Sequence, residues 1–284
     1  METAILLIQC KDQMGIIAEV TQYVHMYNGN IINLEQHTDK ESGDFHMRLE
    51  WDLMGYTIEK ATIKFHFDQG IGKKWKMETQ LYFSADTPRV AVFVSKMSHC
   101  LYDILYRVQS GEWKAELPLI ISNHPNLQSI ADRFGIAYHH IPISKSNKQE
   151  QEAVQRELLE SHNIDLVILA RYMQILTDDF ASSWKNRIIN IHHSFLPAFP
   201  GARPYHSAYE RGVKIIGATS HYVTKDLDEG PIIAQDVTRI SHVDAPKDLI
   251  KKGKDLEKLV LSRAVGLHLE RKILVKGNKT VIFS

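Results

Sequence analysis

The chain has 284 residues, 44% of them apolar, enough to bury a substantial core in two domains or one large one, which excludes extended disorder. Lysine plus arginine and aspartate plus glutamate both number 34, so no overall field draws nucleic acid or an anionic membrane surface, and the expected partners are small molecules or further copies of the chain. Cys10 and Cys100 lie far apart in the sequence and form no metal-type or disulfide framework, no apolar run reaches membrane-spanning length, and Met1-Glu2-Thr3 lacks a basic leader, so a soluble cytoplasmic protein is expected.

Ala4 to Gln9 is a β-rich run closed by the turn Lys11-Asp12-Gln13-Met14-Gly15. Ile16, Val20, Val24 and Tyr27 then recur at helical spacing until Asn28-Gly29-Asn30 stops them. Ile31 to His37 and Phe45 to Trp51 read as a hairpin; a weaker helix over Tyr56 to Phe67 and a strand over Lys76 to Tyr82 complete β-α-β-β-α-β, a ferredoxin-like order. The text Asp12-x-x-Gly15-Ile16 with Asn28-Gly29-Asn30-Ile31 resembles the opening of ACT domains, which commonly bind amino acids between paired copies. That resemblance implies an amino-acid effector held by Asp12, Gly15, Ile16, Asn28 and Asn30, and a homodimer or homotetramer. The same residues also start and stop a helix for backbone reasons alone, so a purely assembling role stays open.

Ser, Asp, Thr and Pro cluster over Ser84 to Arg89, which separates a first domain, residues 1–84, from a second, residues 85–284. In the second, strand-like and helix-like segments alternate from Val90 to Ala170, the pattern of βαβ units and a mostly parallel sheet. A helix over about Lys247 to Lys272, with Leu256, Val260 and Leu267 at helical spacing, is expected to pack on that sheet, and Gly277-Asn278 turns into an apolar tail.

Chemistry concentrates in two stretches. Arg187 to Ile191 is a β-branched run that ends at a proline-punctuated loop reaching Gly201, so a strand stops there, where ligands of open α/β sheets sit. Side chains alternate along a strand: Asn190 and His192 share one face and His193 is expected on the other. Gly217 to Val223 and Ile232-Ile233 flank an acidic turn, so Asp226, Asp228 and Glu229 ride a loop tip from which one carboxylate can face Asn190 and His192.

Asn-x-His at a strand end followed by Leu-Asp-x-Gly-Pro resembles the 10-formyltetrahydrofolate-dependent formyltransferases. Ile-Asn-Ile-His-His-Ser-Phe-Leu-Pro at 189 to 197 and Ala-Tyr-Glu-Arg-Gly-Val-Lys at 208 to 214 resemble their hydrolytic branch, essentially end to end. The resemblance implies an α/β protein, an N-terminal ferredoxin-like ACT domain (βαββαβ) followed by a Rossmann-like, mostly parallel-sheet formyltransferase domain. It implies hydrolysis of 10-formyltetrahydrofolate to formate and tetrahydrofolate, which supplies formate for purine synthesis and balances one-carbon pools, with no cofactor beyond the folate substrate. Carried over residue by residue, Asn190 and a protonated His192 stabilise the formyl oxygen, and Asp228 orients or deprotonates the attacking water and relays a proton to N10. The pterin is expected against Tyr172, Met173, Gln174, Ile175 and Leu176, with Tyr222, Val223 and Thr224 across from them. His221 has two readings, orienting Asp228 or packing in the core. Ser220 departs from the small apolar residue usual in the family.

The alternative is transfer of the formyl group to a small-molecule acceptor. Transferases of this family that formylate glycinamide ribonucleotide carry a glycine-rich phosphate loop after the first strand of the catalytic domain; here that place holds Ser95-Lys96-Met97-Ser98-His99-Cys100-Leu101, whose bulk keeps a phosphate from the backbone. Water remains as the acceptor. A metal-dependent hydrolase is disfavoured because the 15 histidines form no recognised ligand spacing, and a Cys100 nucleophile is a further rival.

Overall fold

The computed structural model describes residues 2–197 and 204–283. Contacts divide the chain into two compact units, Met1–Thr87 with Arg271–Leu274 and Val281–Ser284, and Pro88–Glu270 with Val275–Thr280.

In the first unit, β1 (Thr3–Lys11) passes through Gly15, at φ 100°, into α1 (Ile16–Met26), whose buried face carries Ile16, Val20, Tyr23 and Val24. A positive φ at that turn suits a residue without a Cβ. β2 (Asn30–Thr38) and β3 (Asp44–Asp52) form the expected hairpin. The second helix differs from expectation: α2 (Ile63–Phe67) begins later and runs through a π turn at Asp68–Gly72 into α3 (Lys73–Trp75). A π turn carries more residues than an α turn, so an apolar pattern counted at 3.6 residues loses phase across it. β4 (Glu78–Phe83) completes an antiparallel sheet in the order β2-β3-β1-β4. Leu6 and Ile8 of β1 belong to the core with α1, while Leu7, on the other face, packs with Leu274 and Phe283. Both faces of β1 are therefore covered.

The second unit alternates as the sequence predicts: β5 (Arg89–Val94), α4 (His99–Gln109), β6 (Glu116–Ser122), α5 (Gln128–Phe134), β7 (Ala137–His140), α6 (Lys148–Ser161) and β8 (Leu166–Leu169). α7 (Asp178–Ser183), not foreseen, starts at Thr177, whose side chain accepts from the Phe180 N–H as an N-cap. β9 (Ile188–His192), α8 (Pro204–Arg211), β10 (Ile215–Tyr222), β11 (Ile232–Arg239) and the long α9 (Pro246–Leu269) follow. The tail forms a two-stranded pair, β12 (Ile273–Lys276) and β13 (Lys279–Ile282).

Among the described residues the large sheet runs β11-β10-β9-β8-β5-β6-β7. β9, β8, β5, β6 and β7 are parallel; β10 pairs antiparallel with both β9 and β11. Because the chain moves outward from β5 to β6 and β7, then crosses back to β8 and β9, the order reverses beside β5. Such a switch point leaves a crevice at the carboxyl ends of the central strands, and the loops after β5, β8 and β9 open there.

Candidate functional site

Strand parity and pairing bring the polar groups together. Asn190 and His192 lie two apart near the end of β9, and the β9–β10 register sets His221 opposite Asn190. Asn190 Nδ2 and His221 Nε2 are 3.2 Å apart, and His221 Nδ1 donates to the Tyr222 carbonyl at 2.9 Å. A carbonyl only accepts, so Nδ1 carries a proton and the ring is fixed in orientation. Ser220, the family departure, donates its hydroxyl to the Asn190 carbonyl at 3.0 Å and so ties the two strands at this level.

Asp228 reaches back from the loop between β10 and β11. Its Oδ2 is 3.2 Å from His192 Nδ1 and its Oδ1 is 3.6 Å from His221 Nε2. The backbone at Asp228 is left-handed, φ 57°, a conformation that aspartate tolerates better than most residues. Gly230 makes the loop possible, since a Cβ there would stand 1.8 Å from the Tyr222 carbonyl oxygen. Burial alone would push the Asp228 carboxyl up, but hydrogen bonds and charge from His192 and His221 outweigh it and hold the group well below the usual carboxylate range. The carboxylate is therefore ionised at neutral pH. His192 Nε2 is buried and has no hydrogen-bond partner among the described residues.

These groups line a cavity of about 340 Å³. Its wall includes Tyr172, Met173, Gln174, Ile175, Leu176, Val223 and Thr224, seven of the eight expected substrate-binding residues. Tyr222, the eighth, does not line it: the residue after His221 on a strand points the opposite way, and Tyr222 is buried with its hydroxyl 2.8 Å from His268 Nδ1. Met173 and Ile175 expose apolar side chains beside the cavity, whereas Tyr172 and Leu176 belong to the core. The loop that carries them is pinned on three sides. Met173 N–H donates to Ser95 Oγ at 2.9 Å, Gln155 Nε2 donates to the Tyr172 hydroxyl at 3.0 Å, and Thr177 N–H donates to the buried Glu152 at 3.0 Å. A flat, partly apolar ligand would meet a preformed wall.

His193, expected to face away, lines this cavity and also a second one of about 220 Å³ with Tyr205, Ala208 and Ile216, its ring centroid 5.2 Å from that of His192 and 6.1 Å from that of Tyr205. β9 ends at His192, so the alternation of faces stops one residue too early to govern His193. Burial, and then the Arg171 charge, hold His193 down at about 4 against the pull of Glu257, so it is neutral. Its Nε2 has no partner among the described residues. The part of the proline-punctuated loop at Ala198, Phe199, Pro200 and Gly201 lies outside the described residues.

Sequence reasoning missed Arg171 and Glu257 and left His221 undecided. Glu257 of α9 is almost fully buried; it pairs with His99 Nε2 at 2.7 Å, accepts from the Tyr205 hydroxyl at 2.6 Å and lies 3.6 Å from Arg171 Nη1. Burial would raise its carboxyl, but the hydrogen bond from His99, the Arg171 charge and the Tyr205 hydroxyl together lower it. His99, Cys100 and Glu257 bring a ring nitrogen, a thiol and a carboxylate within 4.8 Å of one another. A metal would have to displace two hydrogen bonds from Glu257 and sit beside a guanidinium. Burial, and then the Glu257 charge, push the Cys100 thiol well up, which leaves it protonated and disfavours it as nucleophile or ligand.

In the first unit, Asp12, Gly15 and Ile16 line a cavity of about 750 Å³ with Gln36, Thr38 and Phe45. Asn28 and Asn30 do not join them: Asn28, at φ 61°, follows the far end of α1, and Asn30 opens β2 opposite Asp52. No helix among the described residues is long and apolar enough to cross a membrane.

Comparison with known proteins identifies the family. A formyl transferase family model matches residues 88–265 and an ACT domain model residues 4–50. A formyltetrahydrofolate deformylase of Synechocystis sp. is 55% identical over 282 residues, 99% of this chain and 99% of that protein. The crystal structure of a formyltetrahydrofolate deformylase from Pseudomonas syringae pv. tomato, 42% identical, superposes with a TM-score of 0.97 over 100% of this chain and 95% of that one. A glycinamide ribonucleotide transformylase 1 from Symbiobacterium toebii, 31% identical, matches 72% of this chain and 98% of its own with a TM-score of 0.66. With an ACT domain ahead of a formyl transferase domain and close relatives aligned along its whole length, the chain belongs to the formyltetrahydrofolate deformylase family.

Proposed function

We propose that the chain hydrolyses 10-formyltetrahydrofolate to formate and tetrahydrofolate, with Asn190, His192 and Asp228 as catalytic residues. The observation that carries this reading is the 3.2 Å pair between His192 Nδ1 and the ionised Asp228, beside the Asn190 amide on the wall of one cavity. With Nδ1–H engaged by Asp228, a second proton on the partner-free Nε2 makes His192 a donor to the formyl oxygen, and the Asn190 amide N–H is the other. As water attacks, negative charge grows on that oxygen, where two donors meet it.

A carboxyl held so low is a weak base, so Asp228 first orients the water and the His192 ring. The water becomes acidic only as its oxygen bonds to carbon, and at that stage its proton can pass through Asp228 to N10. The carbon–nitrogen bond then breaks, releasing formate. N10 is aniline-like, a leaving group that needs a proton but no covalent acyl-enzyme, and nothing in these steps calls for a cofactor beyond the folate. The folate's rings rest against Tyr172 to Leu176, Val223 and Thr224.

The N-terminal domain, residues 1–84, joined in the first unit by Arg271–Leu274 and Val281–Ser284, serves as a regulatory or oligomerisation unit of a cytoplasmic homodimer or homotetramer, with the rest of residues 85–284 as the catalytic part. The cavity at Asp12, Gly15 and Ile16 supports an amino-acid effector. The deciding experiment mixes purified protein with 10-formyltetrahydrofolate and no acceptor and follows free formate. Formate released in step with tetrahydrofolate is expected; consumption only when an acceptor is added would overturn the reading in favour of a transferase.

A further inference from the structure

We propose that Arg171 reserves the formyl group for water, closing the acceptor side of the cavity to amines; this rests on the hydrolytic reading above. The chemical need is general. A primary amine is a better nucleophile than water towards an activated formamide, and cells hold abundant amines. A hydrolase built on a fold that also serves transformylases has to exclude them by shape or charge.

Arg171 meets both requirements. It lies two residues past the end of β8, lines the cavity that holds Asn190, His192 and Asp228, and its side chain is only 14% exposed. A guanidinium stays charged at any physiological pH, so it repels an approaching ammonium group as well as occupying space. Its Nε and Nη1 have no hydrogen-bond partner among the described residues. Buried donors of this kind hold water well and have nothing to offer an ammonium group, which has no lone pair and can only donate.

The side chain is held by an assembly the proposed chemistry does not use. Glu257, its side chain 1% exposed, faces Arg171 at 3.6 Å and is itself gripped by His99 and Tyr205. Gly253 lets Tyr205 come this close to α9, since a Cβ there would stand 2.2 Å from the tyrosine ring. Three separate segments, α4, α8 and α9, thus converge to seat one arginine. The backbone points the same way: Arg171 has φ 62°, a conformation that favours glycine, yet a long cation stands there. Among the described non-glycine residues with positive φ, the other one on this cavity is Asp228.

The side reaction that Arg171 suppresses is balanced without any redox change. The amine nitrogen bonds to the formyl carbon as the bond to N10 breaks, the amine gives up one proton and N10 gains one, and the products are a formylated amine and tetrahydrofolate. The test supplies wild type, Arg171→Gly and Arg171→Ala with 10-formyltetrahydrofolate and glycinamide, and measures formylglycinamide and formate by mass spectrometry. Wild type is expected to give formate; no formate from wild type sinks the hydrolytic reading itself. Where wild type does hydrolyse, the ratio of formylglycinamide to formate should rise at least tenfold in Arg171→Gly, whose backbone suits glycine. A ratio within twofold of wild type overturns the proposal. If Arg171→Gly has lost all turnover, Arg171→Ala decides by the same ratio, and loss of turnover in both also overturns it, because the side chain would then serve the chemistry rather than the choice of acceptor. A merely structural role would lower stability or turnover without moving the ratio.

Discussion

Replacing Asp228 by asparagine removes one charge and almost no volume, which makes it the sharpest perturbation of the proposed mechanism. Asp228 stands 3.2 Å from His192 Nδ1 and 3.6 Å from His221 Nε2. A full charge pair at the shorter distance interacts by about 5 kcal/mol at an effective dielectric near 20. The amide keeps the shape and part of the hydrogen bonding, so the transition state should lose about 3–5 kcal/mol, a fall of about 10²–10⁴ in kcat. Folate affinity should change little, because the pterin wall is formed by other residues. Formate release at saturating folate gives kcat, and quenching of protein fluorescence gives folate binding. Stability supplies a control with a definite sign. A carboxyl lowered on folding stabilises the protein above its unfolded value, about 4, and that contribution is lost as pH falls through the lower folded value. Wild type should therefore melt higher than Asp228→Asn at pH 7, with the gap narrowing in strong acid. Turnover within a few fold of wild type would remove Asp228 from the mechanism.

Three further outcomes are expected. Gly230→Ala sets a Cβ against the Tyr222 carbonyl at 1.8 Å, so the loop must move; kcat should fall by at least tenfold, and a crystal structure showing Asp228 still beside His192 would contradict the cause. Ser95→Ala leaves the Met173 N–H without its acceptor; a hydrogen bond of about 1 kcal/mol predicts a KM for folate raised about fivefold with kcat changed less, readable from initial rates. His193 is buried neutral and titrates at about 4 instead of the usual histidine value, so between about pH 6.5 and 4 the unfolded chain binds the extra proton and wild type loses up to about 3 kcal/mol. His193→Asn should flatten that loss, seen as a smaller drop in Tm between pH 7 and 5.

The sequence makes legible whatever a single element determines by itself. Asn190 and His192 can be read because a strand has a fixed period, and β1 through β9 emerge from apolar runs broken by turn residues. The same rule misleads at His193, since a period holds only while the strand lasts and β9 stops at His192. The helical continuation past Phe67 to Trp75 is missed for a related reason, a π turn at Asp68–Gly72 that breaks the count. Arg171, Glu257 and His99 are illegible for a different cause. Each is an ordinary charged or polar residue in its own segment, and only the crossing of α4, α9 and the loop after β8 brings them together. Ser220 lies between: its hydroxyl reads as a small substitution, yet it bridges to the Asn190 carbonyl across the β9–β10 pair. Local patterns specify the rigid frame, and groups that meet across the chain tune it. That division explains why Asp228 can sit on a loop and still be held to a fixed place. Its two histidines stand on adjacent strands, so the loop has only to bring one carboxylate to a target already fixed by the sheet. Gly230 removes a steric obstacle to that approach.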